Sequence, residues 1–68
     1  MLNVKLLQEV VSESGISITN IAKKMKLSRE GLYQKLSGKT EFKVSEIEAI
    51  TAILHLDNRR RDSIFFEK

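Results

Sequence analysis

The sequence has no cysteine, no proline, no tryptophan and a single histidine. Without cysteine there is neither a disulfide framework nor a thiolate zinc site, a composition that fits a reducing cytoplasm. His55 alone builds no His-based metal site and no catalytic dyad, so it is assigned no ligand. Glycine occurs only three times, and none of the three belongs to a glycine-rich phosphate loop. Ser/His/acid and Cys/His constellations are missing as well. The expectation is therefore a protein that is not an enzyme and uses no metal, cofactor or small-molecule ligand. No apolar run approaches the roughly 20 residues of a transmembrane helix. The first residues lack a basic region followed by an apolar stretch, so no signal peptide is expected. The expected location is the cytoplasm.

What is present is an ordinary globular balance, 41% hydrophobic and 31% charged over 68 residues. That is one small domain, 1–68, with no room for a second core or a separate sensing domain. A chain of this size buries only about 60% of its extended-chain surface, so it gains from a partner or a dimer.

The charge is concentrated. Seven bases (Lys23, Lys24, Lys26, Arg29, Lys35, Lys39, Lys43) and two acids (Glu30, Glu41) lie between residues 23 and 43, a net +5, while the segments on either side each carry −1. A basic middle between near-neutral flanks suggests a polyanion footprint. A solvated lysine surface would produce the same count.

Apolar residues recur at three-to-four spacing, and no stretch sustains a period of two, so every element is expected to be helical. Leu2, Leu6, Leu7, Val10 and Val11 form the first stripe, with Asn3 as N-cap and Gly15 where a C-cap belongs. Ser17 caps a second helix, 18–25, with Ile16 and Ile21 at hydrophobic-staple spacing and a buried stripe of Ile18, Ile21, Ala22 and Met25. Ser28 caps a third helix, 29–37, with Leu27 and Leu32 as its staple and Leu32 and Leu36 as its apolar pair. Gly31 inside this helix costs roughly 1 kcal/mol against alanine. That cost suggests close approach to helix 18–25 or to a ligand. Ser45 and Glu48 match a capping box for a fourth helix that buries Ile47, Ile50, Ile53 and Leu54. Asp57 caps a short fifth helix through Phe65.

Helices 18–25 and 29–37, separated by about three residues, have helix-turn-helix spacing. With Leu32 and Leu36 facing the core, Gln34 points away from it, Glu30 lies one turn earlier on the same side, and Arg29 occupies the helix tip. These residue types hydrogen-bond base edges: Arg to guanine, Gln to adenine, Glu to the cytosine amino group. Glu30 in the first turn also suits the helix dipole, and Tyr33 is as well suited to half-buried packing as to a phosphate contact. Arg59-Arg60-Arg61, flanked by Asp57 and Asp62, is read as solvated surface.

The stretch Ile21-Ala22-Lys23-Lys24-Met25-Lys26-Leu27-Ser28-Arg29-Glu30-Gly31-Leu32-Tyr33 resembles the helix-turn-helix signature of the Cro/cI-type (Xre family) regulators. Gly38-Lys39 resembles the glycine and basic residue that follow the recognition helix. The run from Phe42 through Ile47 to the terminal Ile64-Phe65-Phe66 resembles small phage-associated members. The resemblance implies an all-α, compact five-helix lambda-repressor-like domain that docks its third helix in the major groove of double-stranded DNA, as a homodimer on a two-fold site. It implies base reading by Arg29, Glu30 and Gln34. It implies backbone contacts by Ser37, Lys39 and Lys43, while Ser17, Thr19, Ser28, Tyr33 and Lys35 are expected at the backbone from their own places at the helix starts and along helix 29–37; many members have an apolar residue where this chain has Lys35. The apolar Leu56, Ile64, Phe65 and Phe66 are candidates for the dimer seam, with the last three alternatively folding back on the first helix. One departure matters: many members start the second helix with a phosphate-reaching Gln, and this chain has Ile18. The expected function is a sequence-specific transcriptional regulator, a repressor of the phage type. The alternatives are the DNA-binding partner of a toxin–antitoxin pair, or an adaptor whose helix-turn-helix binds only protein.

Overall fold

Each of five helices places one side chain entirely out of solvent: Leu7, Ile21, Leu32, Ile50 and Ile64. A computed structural model describes residues 2–66 and shows an all-α fold in the order α1 (Val4–Ser14), α2 (Ile18–Met25), α3 (Arg29–Leu36), α4 (Val44–Ile53) and α5 (Asn58–Phe65). The helix α3 packs on α2 and α1, α2 also packs on α4, and α5 lies against α1. The five buried side chains meet at the centre, and burial of each contributes about 1.5–3 kcal/mol.

The helix starts follow from local chemistry. Asn3, Ser17, Ser28 and Asp57 each accept a backbone N–H from three residues ahead, at 3.0, 3.1, 2.9 and 2.7 Å. Each such cap is worth roughly 1 kcal/mol. The start of α4 differs from the Ser45/Glu48 expectation. The helix begins two residues earlier, at Val44, and Glu46 supplies the cap by accepting the Lys43 N–H at 2.8 Å. A carboxylate at the third helical position satisfies the free donor just before the helix, and Glu48 lies one residue pair too late for that.

Three helix ends share one device. Past α2, α3 and α4 the chain turns through a left-handed residue: Lys26 (φ 58°), Gly38 (φ 84°) and His55 (φ 54°). In each case the next residue donates back across the last turn, Leu27 to the Ala22 carbonyl, Lys39 to that of Gln34, and Leu56 to that of Thr51. This is the Schellman arrangement. Only Gly38 has the residue type that such a backbone favours. A Cβ there would also approach the Val4 side chain to 3.0 Å.

One expectation about packing is corrected and one alternative is decided. A Cβ on Gly31 would meet only the Ser28 hydroxyl, at 3.0 Å, so packing against α2 does not explain this glycine; the crowded atom is the α3 cap itself. Ile64 and Phe65 are buried in the chain's own core, the alternative to a seam that the sequence left open for them. Of the four seam candidates, Phe66 is 53% exposed and Leu56 is half-buried. Among the described residues, no helix is long and apolar enough to cross a membrane.

Candidate nucleic-acid interface

The α2–α3 pair owes its geometry to the turn Lys26–Ser28. The left-handed Lys26 ends α2, the half-buried Leu27 anchors the turn, and the Ser28 cap starts α3 at once. Leu32 and Leu36 hold α3 to the core. Arg29, Glu30, Tyr33 and Ser37 are exposed on its other side, with Tyr33 63% exposed.

Gln34 is not the outermost residue of that face. It is half-buried, because the chain reverses immediately beyond it. Its carbonyl accepts the N–H groups of Lys39 (2.9 Å) and Thr40 (3.3 Å) and the Ser37 hydroxyl (3.0 Å). The centre of the exposed face therefore falls nearer Tyr33. A wheel built on Leu32 and Leu36 alone misses this, because a third side chain of α3 is covered.

That side chain is Lys35. Its ammonium lies 2.9 Å from Glu46 Oε1 and donates to the Glu41 carbonyl at 3.0 Å. The two paired side chains are only 13% and 14% exposed. Lys35 is thus engaged within the fold, against the expectation that placed it free at a nucleic-acid backbone. Burial raises the Glu46 pKa, but the Lys43 backbone N–H and the hydrogen bond and charge of Lys35 outweigh it, so the carboxyl sits below its ordinary value.

The other six bases of the segment 23–43 are all exposed, and none pairs with a described acid. Lys23, Lys24 and Lys26 lie along the last turn of α2 and its turn, Arg29 at the tip of α3, and Lys39 and Lys43 on the loop beyond it. By contrast, Arg60 approaches Glu13 (3.8 Å), and Arg61 pairs with Asp62 (3.0 Å) and lies over the Phe66 ring. These two arginines have partners within the chain.

Ser17, Tyr33 and Ser37, expected at the nucleic-acid backbone, line one open groove of about 510 Å³ between the end of α1, the start of α2 and α3. Ile18, at the position of the missing Gln, also lines it, and no charged side chain does. Thr19 is exposed in the first turn of α2. Ser17 and Ser28 act as caps, which leaves the remaining N–H groups of each helix start free to meet an anion. No cluster of potential metal ligands occurs among the described residues.

Sequence reasoning missed two features of the site, the Lys26 backbone conformation and the pairing of Lys35 with Glu46. The first has a local signal, since α2 must stop two residues before the Ser28 cap with no glycine to make the turn. The second has none, because the partners are separated by a loop. Comparison of the chain with protein-family models, with curated proteins and with solved structures finds no match in any of the three.

Proposed function

We propose that the chain is a sequence-specific double-stranded DNA-binding regulator of the Cro/cI type that reads the major groove with α3. The observation that carries this reading is the exposure of six bases, none paired with an acid among the described residues, around a short helix whose outward face bears Arg29, Glu30 and Tyr33. Two capped helices joined by a three-residue turn, with the second projecting polar side chains, make a geometry suited to a groove about 12 Å wide. Arg29 and Glu30 read base edges, and Gln34 reads one from the flank of the face. Tyr33, Ser37, Lys39 and Lys43 contact the sugar–phosphate backbone, with Ser17, Thr19 and the start of α2 on the other side of the groove. Lys23, Lys24 and Lys26 add long-range attraction.

The protein acts as a homodimer in the cytoplasm, because one domain of this size reads too few base pairs to stand out in a genome. With Ile64 and Phe65 committed to the core, the seam falls to Phe66 and Leu56. Repression is the direction of regulation that the resemblance to the Cro/cI-type regulators suggests. Selection of bound sequences from a random duplex pool is the direct test. Enrichment of a two-fold site supports the reading, and recovery of unenriched DNA together with loss of binding at moderate salt refutes it.

A further inference from the structure

The loop between α3 and α4, residues 37–43, is anchored at every residue from 39 to 43. The Lys39 and Thr40 N–H groups donate to the Gln34 carbonyl. The Glu41 carbonyl accepts from the Lys35 ammonium at 3.0 Å. The Phe42 ring rests on that of Phe65. The Lys43 N–H donates to Glu46 Oε1 at 2.8 Å, the same oxygen that lies 2.9 Å from Lys35 Nζ. One carboxylate oxygen therefore joins three segments: α3 through Lys35, the loop end through Lys43, and the first turn of α4.

We infer that Lys35 is a positioning residue, whose ammonium clamps the α3–α4 loop to the recognition helix through Glu46 and the Glu41 carbonyl, so that Lys39 and Lys43 project from a fixed backbone toward the phosphates. The inference rests on the DNA-binding reading. Its physical content is preorganisation. A loop ordered before binding loses less conformational entropy at the moment of contact, so its charged tips bind more tightly for the same contacts. Lys35 is suited to the task by place, being the one base of the segment whose side chain is covered. The pair is solvent-poor on both sides, so its geometry is held more firmly than that of an exposed ion pair.

The sign of one substitution separates this role from a direct phosphate contact. Glu46→Gln removes a negative charge from a DNA-binding surface yet keeps the oxygen that accepts the Lys43 N–H. Simple charge repulsion predicts tighter binding. The clamp predicts weaker binding, because a neutral amide oxygen holds the Lys35 ammonium less firmly than a carboxylate does. Lys35→Met keeps the apolar stem of the side chain and removes only the ammonium. The experiment measures affinity for the selected duplex over a salt series with the parent, Lys35→Met, Glu46→Gln and the double variant. All four are first shown to be folded by helical circular dichroism. Amide hydrogen exchange is measured in parallel on the free proteins.

The expected result is a roughly three- to thirtyfold weakening by each single change, with the double variant no weaker than the worse single one. Exchange at Lys39 and Thr40 quickens in both single variants. Additive effects, with Glu46→Gln neutral or tighter and Lys35→Met lowering the salt slope by about 0.9, would overturn the clamp and return Lys35 to the phosphate contacts. Unchanged exchange in the free variants would overturn it without reference to DNA. If the parent binds no duplex, the DNA-binding reading falls and the role of Lys35 within it falls too, while the exchange data still show whether the loop is clamped.

Discussion

The Phe42 ring meets the Phe65 ring edge-on, with centroids 5.2 Å apart and planes at 78°. The contact fastens the loop beyond α3 to the last turn of α5. One residue earlier, the Ile64 carbonyl accepts the Asn3 N–H at 2.7 Å, which ties the same turn to the start of α1. The end of α5 thus closes the fold, and its two phenylalanines have opposite fates, Phe65 buried and Phe66 exposed.

Phe65→Ala is accordingly expected to cost about 3–5 kcal/mol, enough to leave so small a domain largely unfolded. Phe66→Ala is expected to change stability by less than about 0.5 kcal/mol, as for an exposed position, and to weaken dimerisation. Denaturant melts and sedimentation equilibrium on the two variants check both. A Phe66→Ala protein as dimeric as its parent would move the seam elsewhere.

Base reading and backbone contact leave different marks on binding. Lys39→Ala and Lys43→Ala should each weaken binding to every duplex about equally and lower the salt slope by roughly one. Arg29→Ala and Gln34→Ala should relax preference at one or two base positions by about 1–3 kcal/mol per lost bidentate contact. Glu30→Ala should raise general affinity while discrimination falls, since it removes a charge that repels phosphate. Sequence preference measured beside the parent decides, and unchanged preferences in all three would show that α3 does not read bases.

The left-handed backbone at Lys26 and His55 is strained for a residue with a side chain. Lys26→Gly and His55→Gly are each expected to stabilise the fold by about 0.5–1 kcal/mol after the entropic cost of glycine is subtracted. In a domain of this size that raises Tm by roughly 2–8 °C. Gly38→Ala should destabilise, because it combines the same backbone with a Cβ crowding Val4. Thermal melts of the three variants provide the check, with a lower Tm for Lys26→Gly counting against the turn described here.

Glu46 gives the fold an acid-sensitive contribution. Its carboxyl ionises below the ordinary value of 4.5 in the folded chain, so the charged form is favoured by folding. The stability it contributes is complete above pH 4.5 and declines as pH falls through the lower folded value. Melts from pH 7 to 3 should show a steeper acid loss in the parent than in Glu46→Gln. Parallel curves would mean that Glu46 is not held as described.

The sequence by itself determined where four of the five helices start, because Asn3, Ser17, Ser28 and Asp57 act on backbone groups three residues away and need no distant partner. It also determined the central residues of the core, since the three-to-four spacing of Leu7, Ile21, Leu32 and Ile50 leaves each helix one apolar face. The concentration of positive charge between residues 23 and 43 is likewise a property of the chain alone. Tertiary structure decided which members of that segment are free. Lys35 and Lys39 are the same residue type four positions apart, yet one is covered by α4 and the loop while the other is exposed. It decided too that Tyr33 rather than Gln34 lies nearest the centre of the exposed face, and that Phe65 rather than Phe66 enters the core. Each of these depends on which remote segment lies against a side chain, and the periodicity of a single helix carries no information about its neighbours.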